Sequence, residues 1–320
     1  MLNYLSSIPG AVAQGIIWGI MAIGVYITYR ILDLADLTVD GSICTGAAVC
    51  AVMIVNGMPM WLALLAAFIS GMLAGLVTGL FHTFMGIPAI LAGILTQLML
   101  WSVNLKIMGK SNVALLATKY DLLVTRLHLA EALVILEVIA LAIIAILYWF
   151  FGTEFGCSLR ATGANPSMSR AQGINVSFTK IFGLVLSNGL VALAGALLAQ
   201  YQGSSDINMG KGAIVIGLAA VIIGEALFGW MSKNNFALKL ITVVFGAIIY
   251  YIVYTTVIYL GLDADLLKLL SALLVALFLA FPYWKKRYFS NAVNAEKREQ
   301  QIAEKAAKKA AKKSKGKGVA

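Results

Sequence analysis

Long stretches of this 320-residue sequence have no charged side chain. Residues 41–105 contain no Asp, Glu, Lys or Arg, and the same is true of 2–29, 181–205 and 240–262. Charged residues make up 12% of the chain, against about a quarter in soluble domains, which is too little to cover a soluble fold of this length. Because about 20 mostly apolar residues cross the hydrocarbon core, the sequence predicts an all-α polytopic membrane protein.

The sequence also lacks the motifs of several function classes. Its 3 cysteines form no CxxC pair, so no disulfide framework, metal site or cofactor is expected in this chain. The hydrolase motifs HExxH and GxSxG are absent, which argues against a membrane-embedded hydrolase. A Walker A motif is absent too, because Asn104 occupies the position of the first glycine before Gly109, Lys110 and Ser111. The sequence therefore predicts no ATP-hydrolysing site in this chain.

The formal net charge of +10 is concentrated at the end of the chain. From residue 285 onward there are 12 Lys and Arg against 3 Glu, and the remainder has 12 basic and 11 acidic residues. The positive-inside rule places this Ala-, Lys- and Glu-rich tail in the cytoplasm as a frayed, partly disordered helix. No aromatic side chain follows Phe289 to stack on bases, so no nucleic-acid partner is expected. The sequence thus divides into a membrane domain, 1–284, and a basic cytoplasmic tail, 285–320.

Breaks at Gly, Pro, Asn and charged clusters predict about nine transmembrane helices. A cytoplasmic C-terminus then puts the N-terminus outside, and it puts Arg30 and the 152–176 segment inside. The loop 106–129 disagrees, because it would be external and yet contains 4 basic residues. An even number of spans would move the N-terminus to the other side. The predicted spans are 9–29, 40–56, 61–81, 87–105, 130–151, 177–200, 212–230, 237–260 and 265–283.

A polar segment, residues 152–176, separates two apolar runs, and we call it the polar island. Asn165 followed by Pro166 predicts a helix start, since Asn accepts a bond from a free N–H group and Pro fits the first helical position. Gly173 is placed to end that helix in the left-handed conformation, and Gly163 to end a preceding helix over about 154–162 in the same way. Two such helices would form a rigid knob, although a long interfacial connector has the same spacing. The knob would expose Arg160, Asn165, Ser167 and Arg170.

Polar side chains at membrane depth are candidates for a translocation pathway. Asp36 and Asp40 lie at the start of the second span, where interfacial or capping roles are the alternative to pathway lining. Glu225, near the inner end of its span, could instead be interfacial or pair with Lys233. Amides in spans can hydrogen-bond a zwitterionic solute, but bonding between helices is their commoner use. The candidate pathway residues are Asp36, Asp40, Gln97, Asn104, Asn188 and Glu225.

The island sequence GCSLRATGANPSMSRAQGIN resembles the ATPase-contacting loop of ABC importer permeases in the branched-chain amino acid, ribose and nucleoside permease superfamily. Three further segments are similar to the same family: GIIWGIMAIGVYITYRILDLADLTVDGSICTGAA, PAILAGILTQLMLWSVNLKIMGKSN and GLAAVIIGEALFG. The similarity covers most of residues 10–283. Two segments resemble in sequence a subgroup associated with aromatic amino acid uptake, the tryptophan and tyrosine permeases. These segments are DLTVDG and LTQLMLWSVNLKIMG.

The resemblance implies a fold like that of the vitamin B12 importer permeases, in the cytoplasmic membrane of a prokaryote. It also implies partners: a second permease copy, cytoplasmic ABC ATPase subunits and an extracytoplasmic substrate-binding protein. A homodimer is expected, although two different permease chains would satisfy the same physics. The function implied is import of a small solute, most simply an amino acid, by alternating access, with ATP hydrolysis in the partner and no catalysis in this chain.

Within the island, the resemblance implies that the loop inserts into the ATPase. The residues expected to couple the ATPase are Leu159, Arg160, Ala161, Thr162, Gly163, Ala164, Asn165, Pro166, Arg170 and Gly173.

The alternative function is an ion-coupled secondary transporter, which needs intramembrane carboxylates that residues 41–105 lack.

Overall fold

The chain was analysed in a computed structural model that describes residues 2–230 and 235–259, and single positions between 269 and 280. A π-helical turn, Ile27–Ile31, extends α1, and the strands β1 (Asn112–Ala114) and β2 (Ser204–Asp206) pair antiparallel. The tail, 285–320, lies outside the described residues. The α-helices are α1 (Leu2–Tyr26), α2 (Val39–Val55), α3 (Met60–Thr83), α4 (Ala89–Met108), α5 (Leu129–Gly152), α6 (Glu154–Ala164), α7 (Pro166–Ala171), α8 (Val176–Gln202), α9 (Ala213–Phe228) and α10 (Phe236–Tyr259).

Six of these helices are long and apolar enough to cross a membrane: α1 with its π-helical turn, α3, α4, α5, α8 and α10. They confirm six of the predicted spans as helices of crossing length. α2 and α9 coincide with the predicted spans 40–56 and 212–230, but they have only 17 and 16 residues. The ninth predicted span, 265–283, falls almost wholly outside the described residues, so the total of nine stays a prediction.

Small residues bring the helix backbones close together. A Cβ atom added at Gly71 of α3 would overlap the carbonyl oxygen of Asn188 in α8, and one added at Gly75 would overlap that of Leu184. The outer faces of α3, α4 and α5 instead carry exposed large apolar side chains, among them Leu65 and Trp149. The bundle therefore buries small residues at its helix contacts and exposes large apolar side chains on these outer faces, as a membrane protein does.

The two ends of the bundle differ. α6 and α7 lie where α5 ends and α8 begins, which we call the island end, and β1 and β2 lie at the opposite, strand end. At the strand end the α4–α5 loop covers the end of α8. Leu115 N donates to Gly203 O (2.8 Å), Leu123 N donates to the Gln200 Oε1 atom (2.9 Å), and the Arg126 guanidinium lies 5.0 Å from the ring centroid of Tyr201.

α2 begins inside the bundle and not at one of its ends. It runs parallel to α8, because Ser42 bonds Asn188 and Cys50 bonds Gln200 further along both helices. Asn188 lies 12 residues beyond Val176, the first residue of α8, or about 18 Å at ~1.5 Å per residue. The chain of residues 32–38 therefore re-enters the bundle from the island end before α2 starts.

α9 repeats this arrangement in the opposite direction. The Asp40 carboxylate, in the first turn of α2, accepts hydrogen bonds from Gly212 N and Ile214 N at the start of α9 (2.9 Å each). Residues 203–212 thus re-enter from the strand end, and α9 runs on to the island end, where Glu225 meets Arg30. The sequence did not predict these two inward starts, because it assigned both segments as spans of ordinary length.

Candidate functional site

The polar island is built from short helices whose ends are capped by side chains. The Thr153 hydroxyl accepts from Gly156 N (3.3 Å) at the start of α6, and the Asn165 side chain accepts from Met168 N (3.0 Å) at the start of α7. Gly173 has φ +84 just beyond α7. The predicted helix start at Asn165 and Pro166 and the left-handed Gly173 are confirmed. The island therefore consists of two separate helices and not of one long connector.

The predicted role of Gly163 as the end of the first island helix is wrong. α6 continues to Ala164, and Gly163 is not among the glycines with positive φ. The turn is made by Asn165, so no left-handed glycine is needed there. A Cβ atom at Gly163 would overlap the carbonyl oxygen of Ile31, the last residue of the π-helical turn. This glycine permits close contact between α6 and the end of α1.

The expected coupling residues divide between two faces of the island. Leu159 and Thr162 are fully buried, so they anchor α6 to the bundle. Arg160 is exposed, but its Nη2 atom donates to Phe151 O (2.9 Å), and its guanidinium lies 5.9 Å from the ring centroid of Phe236. It therefore ties the island to α5 and α10. The other exposed members of the set are Ala161, Ala164, Asn165, Pro166, Arg170 and Gly173.

Sequence reasoning missed the exposed apolar side chains of the island. Met168 on α7 is 58% exposed, and Phe178 in the first turn of α8 is 55% exposed. Met168 could have been noticed in the sequence, because it is a large apolar residue among the polar residues of the island. Met168 and Arg170 thus give the island exposed apolar and basic side chains, and Phe178 adds an exposed ring just beyond it, a combination that suits contact with another protein.

A polar cavity of about 540 Å³ lies beside the island, between α6 and the ends of α1 and α10. Its walls include Asp33, Arg160 and Lys239. Beside it the Arg30 Nε atom donates to the Glu225 Oε1 atom at 2.9 Å. Glu225 therefore has Arg30 as its partner, whereas the expected partner, Lys233, lies outside the described residues. The pair joins the ends of α1 and α9 and is partly exposed, so it carries little stability of its own.

Asp36 lies in a buried polar cluster deep in the bundle. Only 3% of its surface is exposed, so the interfacial interpretation of Asp36 is wrong. Its carboxylate accepts from Thr38 N (2.9 Å) at the start of α2 and from the Asn188 Nδ2 atom (2.7 Å), while the Asn188 Oδ1 atom accepts from Ser42 Oγ (2.6 Å). Asp36 thus caps α2, and Asn188 makes the bonds between helices that are the commoner use of such amides.

Three of the predicted pathway residues line one cavity of about 300 Å³, which we call the Asp40 cavity. These are Asp40, Gln97 and Asn104, so the two amides, seven residues apart on α4, face the same cavity. Asp36 and Asn188 lie instead in the buried cluster, and Glu225 lies at the island end. The sequence did not single out Trp101 and Lys211, which also line the cavity. Trp101 could have been found by its spacing, since it shares a helix face with the two amides.

Comparison with known proteins identifies the family. The chain matches the model of the family described as branched-chain amino acid transport system, permease component, over residues 7–281. The chain belongs to this family. It is 41% identical over 280 residues to a tyrosine transport system permease protein of Clostridioides difficile, covering 86% of this chain and 91% of that protein. The resemblance stated from the sequence is confirmed, and the chain is a multi-pass membrane protein of a transport system.

Two further comparisons agree with this assignment. An uncharacterised protein of Rickettsia prowazekii is 38% identical over 272 residues, which cover 84% of this chain and 95% of the relative. The structure of PsaBC from Streptococcus pneumoniae in complex with Fab superposes on this permease with a TM-score of 0.53 at 15% identity, covering 91% of this chain and 100% of that chain. At that identity the likeness concerns the fold alone.

Proposed function

We propose that this chain is the membrane-spanning subunit of an ABC importer for an aromatic amino acid, driven by separate ATPase subunits. Membership of an amino acid permease family supports the solute class, and the 41% identity to a tyrosine permease supports an aromatic one. The observation that carries the mechanism is the close contact of the rigid island with the end of α1.

The route from the island into the bundle has three steps. The outward face of the island, with Met168 and Arg170, offers the ATPase a contact surface. Gly163 lets α6 lie directly against Ile31, so a displacement of the island moves the end of α1. Ile31 leads into residues 32–38, whose Asp36 starts α2 and holds α8. A rigid body that pushes on a packed joint changes the arrangement of whole helices, as alternating access requires.

The assembly follows from the same proposal. Two copies of the permease, each with the island in the cytoplasm, contact two ATPase subunits, and a substrate-binding protein docks at the strand end. The C-terminal tail is then cytoplasmic. α2 and α9, which both begin inside the bundle, are of the kind that transport proteins place at their solute pathway. The homodimer and the vitamin B12 importer type of fold belong to this proposal.

Reconstitution tests the proposal directly. Proteoliposomes containing the permease, its ATPase and its binding protein are expected to take up labelled L-tyrosine only with ATP. Uptake that needs a proton or sodium gradient and ignores ATP would overturn the proposal in favour of a secondary transporter.

Arg170→Glu provides a sharper test of the contact surface. Reversing a charge at the rim of an interface should weaken co-purification of the ATPase by roughly tenfold, or ~1.4 kcal/mol. The control is Lys110→Glu, the same change at an exposed position at the strand end, for which ATPase recovery should equal that of the unaltered permease.

A further inference from the structure

We propose that the Asp40 cavity is a binding site within the permease for one free α-amino acid with an aromatic side chain. In this site the ammonium group of the ligand faces Asp40, its carboxylate faces Lys211 and its ring packs against Trp101. The inference rests on the proposed import function and adds to it a site in the membrane subunit itself. Its volume, about 300 Å³, is at the lower limit of ligand pockets and suits a small molecule.

The first argument is an unused amide. Asn104 is 1% exposed and lines the cavity, yet within the described part of the chain neither its Oδ1 nor its Nδ2 atom has a hydrogen-bond partner. Buried amide groups are nearly always hydrogen-bonded. By contrast Asn188, a buried amide of α8, is bonded to Asp36, Ser42 and Leu184. Asn104 therefore has both a donor and an acceptor free for a ligand.

The second argument is the pair of opposite charges. Asp40 and Lys211 both line the cavity, but among the described residues no acidic side chain lies within 4.0 Å of the Lys211 ammonium. The Asp40 carboxylate accepts backbone N–H groups at the start of α9, those of Gly212 and Ile214 at 2.9 Å and more weakly that of Ala213, and a carboxylate can accept about four hydrogen bonds. Asp40 therefore keeps capacity for an ammonium group while it holds α9 in place. Two separated, opposite charges match the two ends of a zwitterion.

The third argument is the direction of the helices. α2 and α9 both begin at the cavity, and the start of a helix carries partial positive charge. Lys211 lies just before α9, where the Asp40 carboxylate already neutralises the helix start. The backbone N–H groups of Gly212 and Ile214 are already bonded to Asp40, which leaves Lys211 as the side chain that contacts the anion.

The fourth argument concerns the side chain of the ligand. Trp101, 46% exposed, stands between Gln97 and Asn104 on one face of α4, with Leu98 beside it. An indole next to an aliphatic side chain offers a flat apolar surface on which an aromatic ring packs, and amides at its edges can bond a ring hydroxyl. This combination favours an aromatic amino acid over a small or acidic one.

The test measures protection of a cysteine in the permease–ATPase complex, without the binding protein, so that recognition by the receptor does not enter. Leu98→Cys is placed in the cavity wall and Cys157→Ser removes the exposed native thiol. L-Tyrosine is expected to slow labelling of Leu98→Cys by roughly tenfold, with or without ATP. Tyramine, which has no carboxylate, and 3-(4-hydroxyphenyl)propionate, which has no ammonium, should protect at least about tenfold less well.

Matched variants decide the outcome. Lys211→Met should abolish protection by tyrosine, whereas Lys106→Met, an exposed lysine outside the cavity, should keep it. Leu95→Cys, exposed on α4 but not in the cavity wall, should be labelled equally with and without tyrosine. ATP-driven uptake of tyrosine without any protection would reject this site and retain the import function. Protection without uptake would retain the site and reject import.

Discussion

Asp36 and Asp40 lie four residues apart, and each holds the start of a helix inside the bundle. Asp36 caps α2 and binds α8 through Asn188, while Asp40 caps α9 from within α2. In hydrocarbon an unsatisfied N–H group costs several kcal/mol, which is a large part of the total stability of a small domain. These two carboxylates therefore satisfy N–H groups at the starts of α2 and α9, while backbone carbonyl groups and Cys44 accept from others in the re-entrant segments.

The bond between Asp36 and Asn188 should be measurable in a double-mutant cycle. Asp36→Ala and Asn188→Ala remove the two partners of the 2.7 Å hydrogen bond, and their effects on the free energy of unfolding should not add. We expect a coupling energy of about 1–2 kcal/mol, from unfolding titrations in mixed micelles.

The control cycle pairs Asp36→Ala with Asn175→Ala, which removes the cap of α8 at the island end and has no bond to Asp36. These two effects should add to within about 0.5 kcal/mol. A coupling energy near zero between Asp36 and Asn188 would show that the bond does not hold α2 against α8.

At the scale of the helices, α6 of the island packs most closely on its neighbour at a single residue, Gly163. Gly163 brings α6 against the carbonyl of Ile31, and Leu159 and Thr162 fix the same face by complete burial. Any side chain at 163 must push α6 away from the π-helical turn, because the overlapping atom belongs to the backbone. One substitution at Gly163 is therefore enough to disturb the contact through which the ATPase would act on the bundle.

Gly163→Val is expected to separate ATP hydrolysis from transport. Uptake of tyrosine by the reconstituted importer should fall by about tenfold, while membrane insertion and ATPase activity persist, because the change loosens the joint and leaves the outward face intact. Gly152→Val is the control, since a Cβ atom there has nothing within 4 Å. Unchanged uptake by the Gly163→Val importer would remove this joint from the mechanism.

Local signals in the sequence predicted where the second island helix begins and ends, but contacts between distant residues could not be predicted from the sequence. Asn165, Pro166 and Gly173 act on their own neighbours in the chain, so their roles could be read directly. The packing of Gly163 on Ile31 and the pairing of Arg30 with Glu225 join residues more than a hundred positions apart, and no local pattern shows them. The inward starts of α2 and α9 were missed because both helices are as apolar as a full span.

At the scale of the whole molecule, α1 with α2 and α8 with α9 form two similar units that run in opposite directions. Each has a long helix, a re-entrant segment and a shorter helix that begins inside the bundle. α3 packs chiefly against α8 and α10 against α1, so each unit is completed by the helix that follows the other. The orientation of both units is fixed once one end of the bundle is assigned to the cytoplasm.

That assignment can be checked with a matched pair of cysteines. In a Cys157→Ser background, Ser111→Cys lies at the strand end and Ser167→Cys on the island, and both positions are exposed. A membrane-impermeant thiol reagent applied to intact cells should label Ser111→Cys, and it should label Ser167→Cys only after permeabilisation. Labelling of Ser167→Cys from outside would place the island on the wrong side for an ATPase.

The covering of the strand end has a consequence for how this permease could receive two signals. β2 is part of residues 203–212, which lead into α9, and Gly163 of the island contacts Ile31 and Leu32, from which the chain leads into α2. A binding protein that moves β1 and β2 and an ATPase that moves the polar island would therefore displace the Asp40 carboxylate from opposite ends of the bundle. Docking of the binding protein and ATP-driven movement of the island would then be coupled through the two carboxylate oxygens of Asp40.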